Sequence, residues 1–151
     1  MLVAVGRLRE RHFREAADEY LKRLTPYAKV REAEVADRDL SRDQGRALAD
    51  EAADILRAIP ESSYMVLLDR TGAERSSEEL ARWLDSLATS GRSDIVFVIG
   101  GASGVTDAVA ARADERLSFG PITLPHQLAR VVLLEQLYRA FRINRNEPYH
   151  R

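Results

Sequence analysis

Apolar residues fall along this chain in two kinds of run. One kind is short and continuous: Leu2–Val5, Tyr64–Leu68 and Ile95–Ile99, each giving way to a glycine or to polar residues. Such runs predict strands buried on both faces, as a parallel sheet requires. The other kind repeats at helical spacing. Phe13, Ala16, Ala17, Tyr20, Leu21 and Leu24 predict a helix over 11–24 that Pro26 ends. Ala47, Leu48, Ala52, Ile55, Leu56 and Ile59 predict a second, stopped by Pro60. A third carries Leu80, Leu84 and Leu87, ends at Gly91, and is capped by Ser76 or Ser77, with Glu79 completing a capping box to Ser76.

The remaining segments are weaker. Lys29–Ala36 sets Val30, Ala33 and Val35 among charged neighbours, which predicts an edge strand. Asp37–Gly45 is polar and aperiodic, a loop. Val105–Ala113 reads as a short helix, Arg116–Phe119 as a short strand and Pro125–Phe141 as a long helix. Strand and helix alternate almost throughout. The prediction is one α/β domain over 1–151, a mainly parallel sheet with helices on both faces.

A chain of 151 residues is long enough to bury a core. It has no cysteine, which excludes disulfides and cysteine-ligated zinc; no metal site is expected. No apolar run approaches the roughly 18 residues of a membrane span. Met1–Gly6 is too short for a signal-peptide core and acidic residues soon follow, so a cytoplasmic protein without membrane contact is expected. A net charge of −1 gives no whole-molecule attraction to nucleic acid. The distribution is less even: from Gly120 to Arg151 there are five arginines against two glutamates, and two of the three histidines.

Candidate chemistry gathers at that end. Gly100-Gly101-Ala102-Ser103-Gly104 leaves the most apolar strand and enters a helix. Glycines there permit a tight turn and close backbone approach to a ligand, or simply a turn. The pattern is neither a Walker loop nor a Rossmann fingerprint. Gly120–Pro125 sets Ile122, Thr123 and Leu124 between Pro121 and Pro125. It is a stiff, mostly apolar loop that could grip a flat base through backbone groups, or an ordinary connection. His126 starts the last helix, where a structural hydrogen bond is the commoner role, and His12 sits on a charged helix face. The tail holds Tyr149, His150 and Arg151, suited to stacking, proton transfer and phosphate contact, while residues 143–151 carry few groups able to anchor them in a core. The last helix is apolar over more than one stripe, which points to a second buried surface such as a dimer interface.

Several of these segments also carry a family resemblance: Val3-Ala4-Val5-Gly6, Glu19–Leu24, Leu68-Asp69, Ser76–Ala81, Phe97–Gly101, Thr123–His126, Leu137–Ala140 and Asn146–His150. In this order, and over nearly the whole length, they resemble the bacterial 23S ribosomal RNA (pseudouridine(1915)-N(3))-methyltransferases, small members of the SPOUT superfamily. The resemblance implies a C-terminal trefoil knot, S-adenosyl-L-methionine as methyl donor, a homodimer, and a ribosomal RNA target within the assembled ribosome. It places the cofactor at Leu68, Gly101 and Gly120 through Pro125, that is Gly120, Pro121, Ile122, Thr123, Leu124 and Pro125. For the chemistry, His150 is the first candidate for the base with His126 as the alternative, Arg139 would stabilise the resulting anion, and Tyr149 would stack on or orient the uracil ring. Two departures stand out: Ala102-Ser103 where some relatives place Pro-Glu, and an Asp37–Gly45 loop shorter than in several relatives.

Overall fold

A computed structural model of the chain describes residues 1–39, 41 and 43–148. Five parallel strands form one sheet: β1 (Leu2–Val5), β2 (Glu32–Val35), β3 (Tyr64–Glu74), β4 (Ile95–Ile99) and β5 (Glu115–Ser118). They lie in the order β2-β1-β4-β3-β5. Four helices connect them, α1 (Arg11–Leu24), α2 (Gln44–Ala58), α3 (Ser77–Thr89) and α4 (Asp107–Arg112), and α5 (His126–Asn144) follows β5.

Alternate residues of each strand face opposite sides of the sheet, and both sides are covered. Leu2, Ala4, Val66, Phe97, Ile99 and Leu117 pack under α1, α3 and α5. Val3, Val5, Met65, Leu67, Val96 and Val98 pack under α2 and α4 through Ala52, Ile55 and Val109. This two-sided burial is why the strands read as continuous apolar runs rather than alternating ones.

The helix signals act locally as their chemistry requires. Ser76 accepts from Glu79 N while Glu79 accepts from Ser76 N, a complete capping box, and Asp43 caps α2 by accepting from Arg46 N at 3.0 Å. Helix α5 lies against both α1 and α3. Val131, Phe141 and Ile143 pack into the core within the chain, so much of the extra apolar surface of α5 is used there.

Two differences from the sequence reading have physical causes. Strand β3 runs to Glu74, not Leu68. Both Leu68 and Ala73 register on Leu117, so residues 69–72 form an excursion beside β5. Gly72 makes it possible: a Cβ there would lie 2.6 Å from the carbonyl carbon of Arg116. Edge strand β5 is in turn secured at Glu115, which accepts from Tyr64 Oη and Trp83 Nε1, each at 2.9 Å, and pairs with Arg75.

The second difference concerns the end of α5, which is anchored. Asn146, at φ 54°, closes the helix in the left-handed region. Asn146 N bonds Ile143 O and Glu147 N bonds Arg142 O, both at 2.9 Å, which is a Schellman cap. The Glu147 carboxylate then receives the Tyr27 hydroxyl and pairs with Arg142 at 3.0 Å. Arg145 lies over the Tyr27 ring at 4.5 Å. The expectation of few anchors is therefore corrected up to Pro148. Tyr149, His150 and Arg151 lie outside the described residues.

Candidate functional site

The excursion within β3 and the loops that leave the carboxyl ends of β4 and β5 enclose a cleft of about 830 Å³. An open parallel sheet offers its ligand site at these strand ends, and the volume falls within the usual small-molecule range of about 300–1,000 Å³. Leu68, Asp69 and Arg70 form one wall, Ile99–Ala102 with Gly104 and Val105 another, and Leu117, Phe119, Gly120 and Ile122–Pro125 the third. His126 and Ala129 of α5 close it.

Of the residues expected to hold a cofactor, Leu68, Gly101, Gly120, Ile122, Thr123, Leu124 and Pro125 meet around this cleft. Pro121 is exposed and does not line it. The loop after β5 turns at Gly120, whose φ of +96° belongs to the left-handed region and whose missing Cβ faces open space. Ile122 is 64% exposed, the one large apolar side chain left so open among the described residues. The N–H groups of Ile122, Thr123 and Leu124 make no backbone hydrogen bond among the described residues. An apolar side chain beside unpaired donors matches a flat, polar-edged ligand in shape and chemistry.

Polar groups fix the walls. Asp69 accepts from Thr71 N at 2.8 Å and from Thr71 Oγ1 at 2.9 Å. The Thr71 N–H holds the Asp69 carboxyl below its ordinary range, with Arg116 assisting. Asp69 therefore stays ionised and serves to turn the chain. Ser118 is buried and accepts from Gly120 N at 3.1 Å, and its hydroxyl lies 3.3 Å from Arg70 O, so it ties two walls together.

Gly101 lines the cleft. Its Cβ direction points away from open space, toward Val5 Cγ1 at 3.1 Å and Glu51 Oε1 at 3.4 Å. A valine at this position would press on the core as well as change the cleft. Glu51, on α2, is 5% exposed. Burial pushes its carboxyl above the ordinary range, and Asp37 adds to the shift.

His126 rests against Gly6, whose φ is +82° and whose Cβ would come within 3.3 Å of Nε2. Arg130, 3% exposed, clamps this corner by donating to Gly6 O at 3.0 Å and Glu34 Oε1 at 2.8 Å. Arg139 stands elsewhere. It donates to Glu135 Oε1 at 2.6 Å and does not line the cleft. At 1.5 Å per residue it sits about 20 Å along α5 from His126.

Asp69, present only within a family segment, and Arg70 are not singled out as site residues by the sequence, nor is Glu51 behind Gly101. Asp69-Arg70-Thr71-Gly72 carries a usable signal, an Asx turn before a glycine; a carboxylate within an amphipathic helix carries none.

Comparison with known proteins accords with the geometry. The family described as "Predicted SPOUT methyltransferase" matches residues 1–150. A protein of Rubrobacter xylanophilus named "Ribosomal RNA large subunit methyltransferase H" is 55% identical over 152 residues, covering 99% of this chain and 96% of that one. A protein of the same name from Listeria monocytogenes is 50% identical over 155 residues, covering 99% and 98%. Among solved structures, a probable methylase family protein from Haemophilus influenzae shares the fold with a TM-score of 0.57 at 14% identity; the match covers 96% of this chain and 65% of that one. Matched from end to end by the family and by relatives at half identity or better, the chain belongs to the SPOUT methyltransferases.

Proposed function

We propose that this protein transfers a methyl group from S-adenosyl-L-methionine to N3 of a pseudouridine in 23S ribosomal RNA within the assembled ribosome, in the cytoplasm. The cleft is the observation that carries this reading. It gathers an exposed isoleucine, unpaired backbone donors and two left-handed glycines, Gly104 and Gly120, at the strand ends. The names of the full-length relatives support the RNA target.

In this reading Leu68, Gly101, Gly120 and Ile122–Pro125 hold the cofactor, with Ile122 and Leu124 against the adenine and the N–H groups of the loop on its edge. When bound, the cofactor supplies a methyl group already activated by its sulfonium, so the protein's main task is alignment. The N3 imide must lose its proton to become a nucleophile. His150 takes that proton, Arg139 stabilises the anion and Tyr149 stacks on the ring.

Arg139 does not line the cleft of its own chain. Glu147 is fixed at the far end of α5, about 27 Å from His126 by helical rise. Three further residues reach at most about 11 Å. The reading therefore requires a homodimer in which Arg139 and the tail complete the partner's cleft. The knotted threading of the C-terminal segment belongs to the same proposal.

The test is methyl transfer from labelled S-adenosyl-L-methionine to 70S ribosomes and, in parallel, to transfer RNA. Label recovered from 23S RNA as N3-methylpseudouridine is expected. Label in transfer RNA alone, or in neither, overturns the proposal.

A further inference from the structure

We propose that the loop joining β1 to α1, residues 6–10, seats the RNA backbone of the substrate, with Arg7 and Arg9 as its phosphate contacts. The inference rests on the reading of this protein as an RNA-modifying enzyme and adds the surface by which RNA is held.

The loop borders the cleft. Gly6 lies against His126, whose ring lines it, and Arg9 N and Glu10 N donate to Gln127 Oε1 at 2.9 and 3.4 Å. The loop is also held from below. Leu8 is 5% exposed; its N–H donates to Glu34 Oε1 at 3.4 Å and its carbonyl accepts from Arg14 Nη2 at 2.6 Å. With Leu8 pointing inward, Arg7 and Arg9 on either side of it are both exposed.

Nearby arginines are engaged: Arg11 with Glu15, Arg14 with Leu8 O and Arg130 with Glu34. Neither Arg7 nor Arg9 makes an ion pair or side-chain hydrogen bond among the described residues. Two uncompensated guanidinium groups on a braced loop beside a cleft are placed to position a phosphodiester chain, which such groups grip without reading sequence. In a protein of net charge −1, attraction to RNA must come from local features of this kind.

The test compares wild type, Arg7→Gln/Arg9→Gln, Arg7→Lys/Arg9→Lys and Arg57→Gln/Arg82→Gln, which removes equal charge from exposed positions on α2 and α3. Binding and methylation of 70S ribosomes are measured from 50 to 200 mM salt. The loop glutamine variant should raise KM for ribosomes about tenfold and flatten the plot of log affinity against log salt by about 1–2, the contribution of two phosphate contacts. Its melting temperature, its binding of S-adenosyl-L-methionine and its rate at saturating ribosomes should not move. The lysine variant should retain most of the affinity. An unchanged KM, an equal loss in the Arg57/Arg82 variant, or weaker binding with an unchanged salt slope (the mark of a protein neighbour rather than phosphate) overturns the inference. Those results arise while wild type still methylates ribosomes; a wild type that neither binds nor methylates them overturns the functional reading as well.

Discussion

Gly72→Ala adds one methyl group where β3 passes β5. Its Cβ would lie 2.6 Å from Arg116 C, 2.7 Å from Arg116 O and 2.7 Å from Leu117 N. Comfortable carbon contacts begin near 3.5 Å, so the two segments must separate by close to 1 Å. All three neighbours are backbone atoms, and no side-chain rotamer can relieve the clash. Gly72 is not in the left-handed region, so the effect is one of space rather than of φ. Leu117, 2% exposed, would be displaced together with its pairing to Leu68 and Ala73. Overpacking of this kind costs about 1–3 kcal/mol, and rigid backbone on both sides places it near 3. At about 2–4 °C per kcal/mol for a chain of this size, the melting temperature should fall by about 6–12 °C. The urea midpoint should fall with an unchanged slope. Gly45→Ala is the companion: within α2 the added Cβ meets only Asp43 Oδ1 at 3.7 Å, and helix propensity should give a gain of about 0.5 kcal/mol. Calorimetry of both variants decides the matter. A Gly72→Ala protein melting within about 2 °C of wild type refutes the reasoning.

Three further outcomes are expected. Arg130→Met should cost about 3 kcal/mol, because it leaves Glu34 and Glu32 without the buried cation that faces them; thermal unfolding checks it, and a loss under about 1 kcal/mol counts against the clamp. Glu51 has a folded-state pKa above its ordinary 4.5, so the stability it confers is present below that value and lost as pH rises through the folded pKa. Glu51→Gln should therefore gain on wild type in urea midpoint as pH is raised from about 4 to 8, and a difference that stays constant contradicts the assignment. Ile122→Ser should leave the melting temperature unchanged, since the side chain is 64% exposed. It should weaken S-adenosyl-L-methionine about tenfold by calorimetry, the equivalent of losing roughly 1.4 kcal/mol of apolar contact; wild-type affinity removes Ile122 from the site.

The sheet and its helices are legible because periodicity reports burial. Leu2–Val5 and Ile95–Ile99 announce two-sided burial, and Ser76 with Glu79 announces a helix start. The end of β3 is not legible. Asp69-Arg70-Thr71-Gly72 reads as a turn, and only its contact with β5 draws Ala73 and Glu74 back into the sheet. Two walls of the cleft are visible as glycine and proline loops after strands; the third, at Asp69 and Arg70, depends on that same excursion. The anchored end of α5 is hidden for a different reason. Glu147 finds Tyr27 across 120 residues, and no local pattern encodes such a partnership. The breadth of apolar residues on α5 is visible, but the sequence does not say that α1 and α3 flank it within the chain.

The position of β4 between β1 and β3 sets a timetable for synthesis. Leu2 pairs with Phe97 and Val3 with Val98, so the first strand made waits for a neighbour produced about 95 residues later. At about 5–20 residues per second, that wait lasts roughly 5–20 s. Until then Leu2–Val5, each at most 3% exposed in the finished fold, has only the short edge strand β2 as a partner in the sheet. The nascent chain therefore presents an adhesive strand for seconds before its centre can close, which makes the first hundred residues a substrate for chaperones that hold apolar segments.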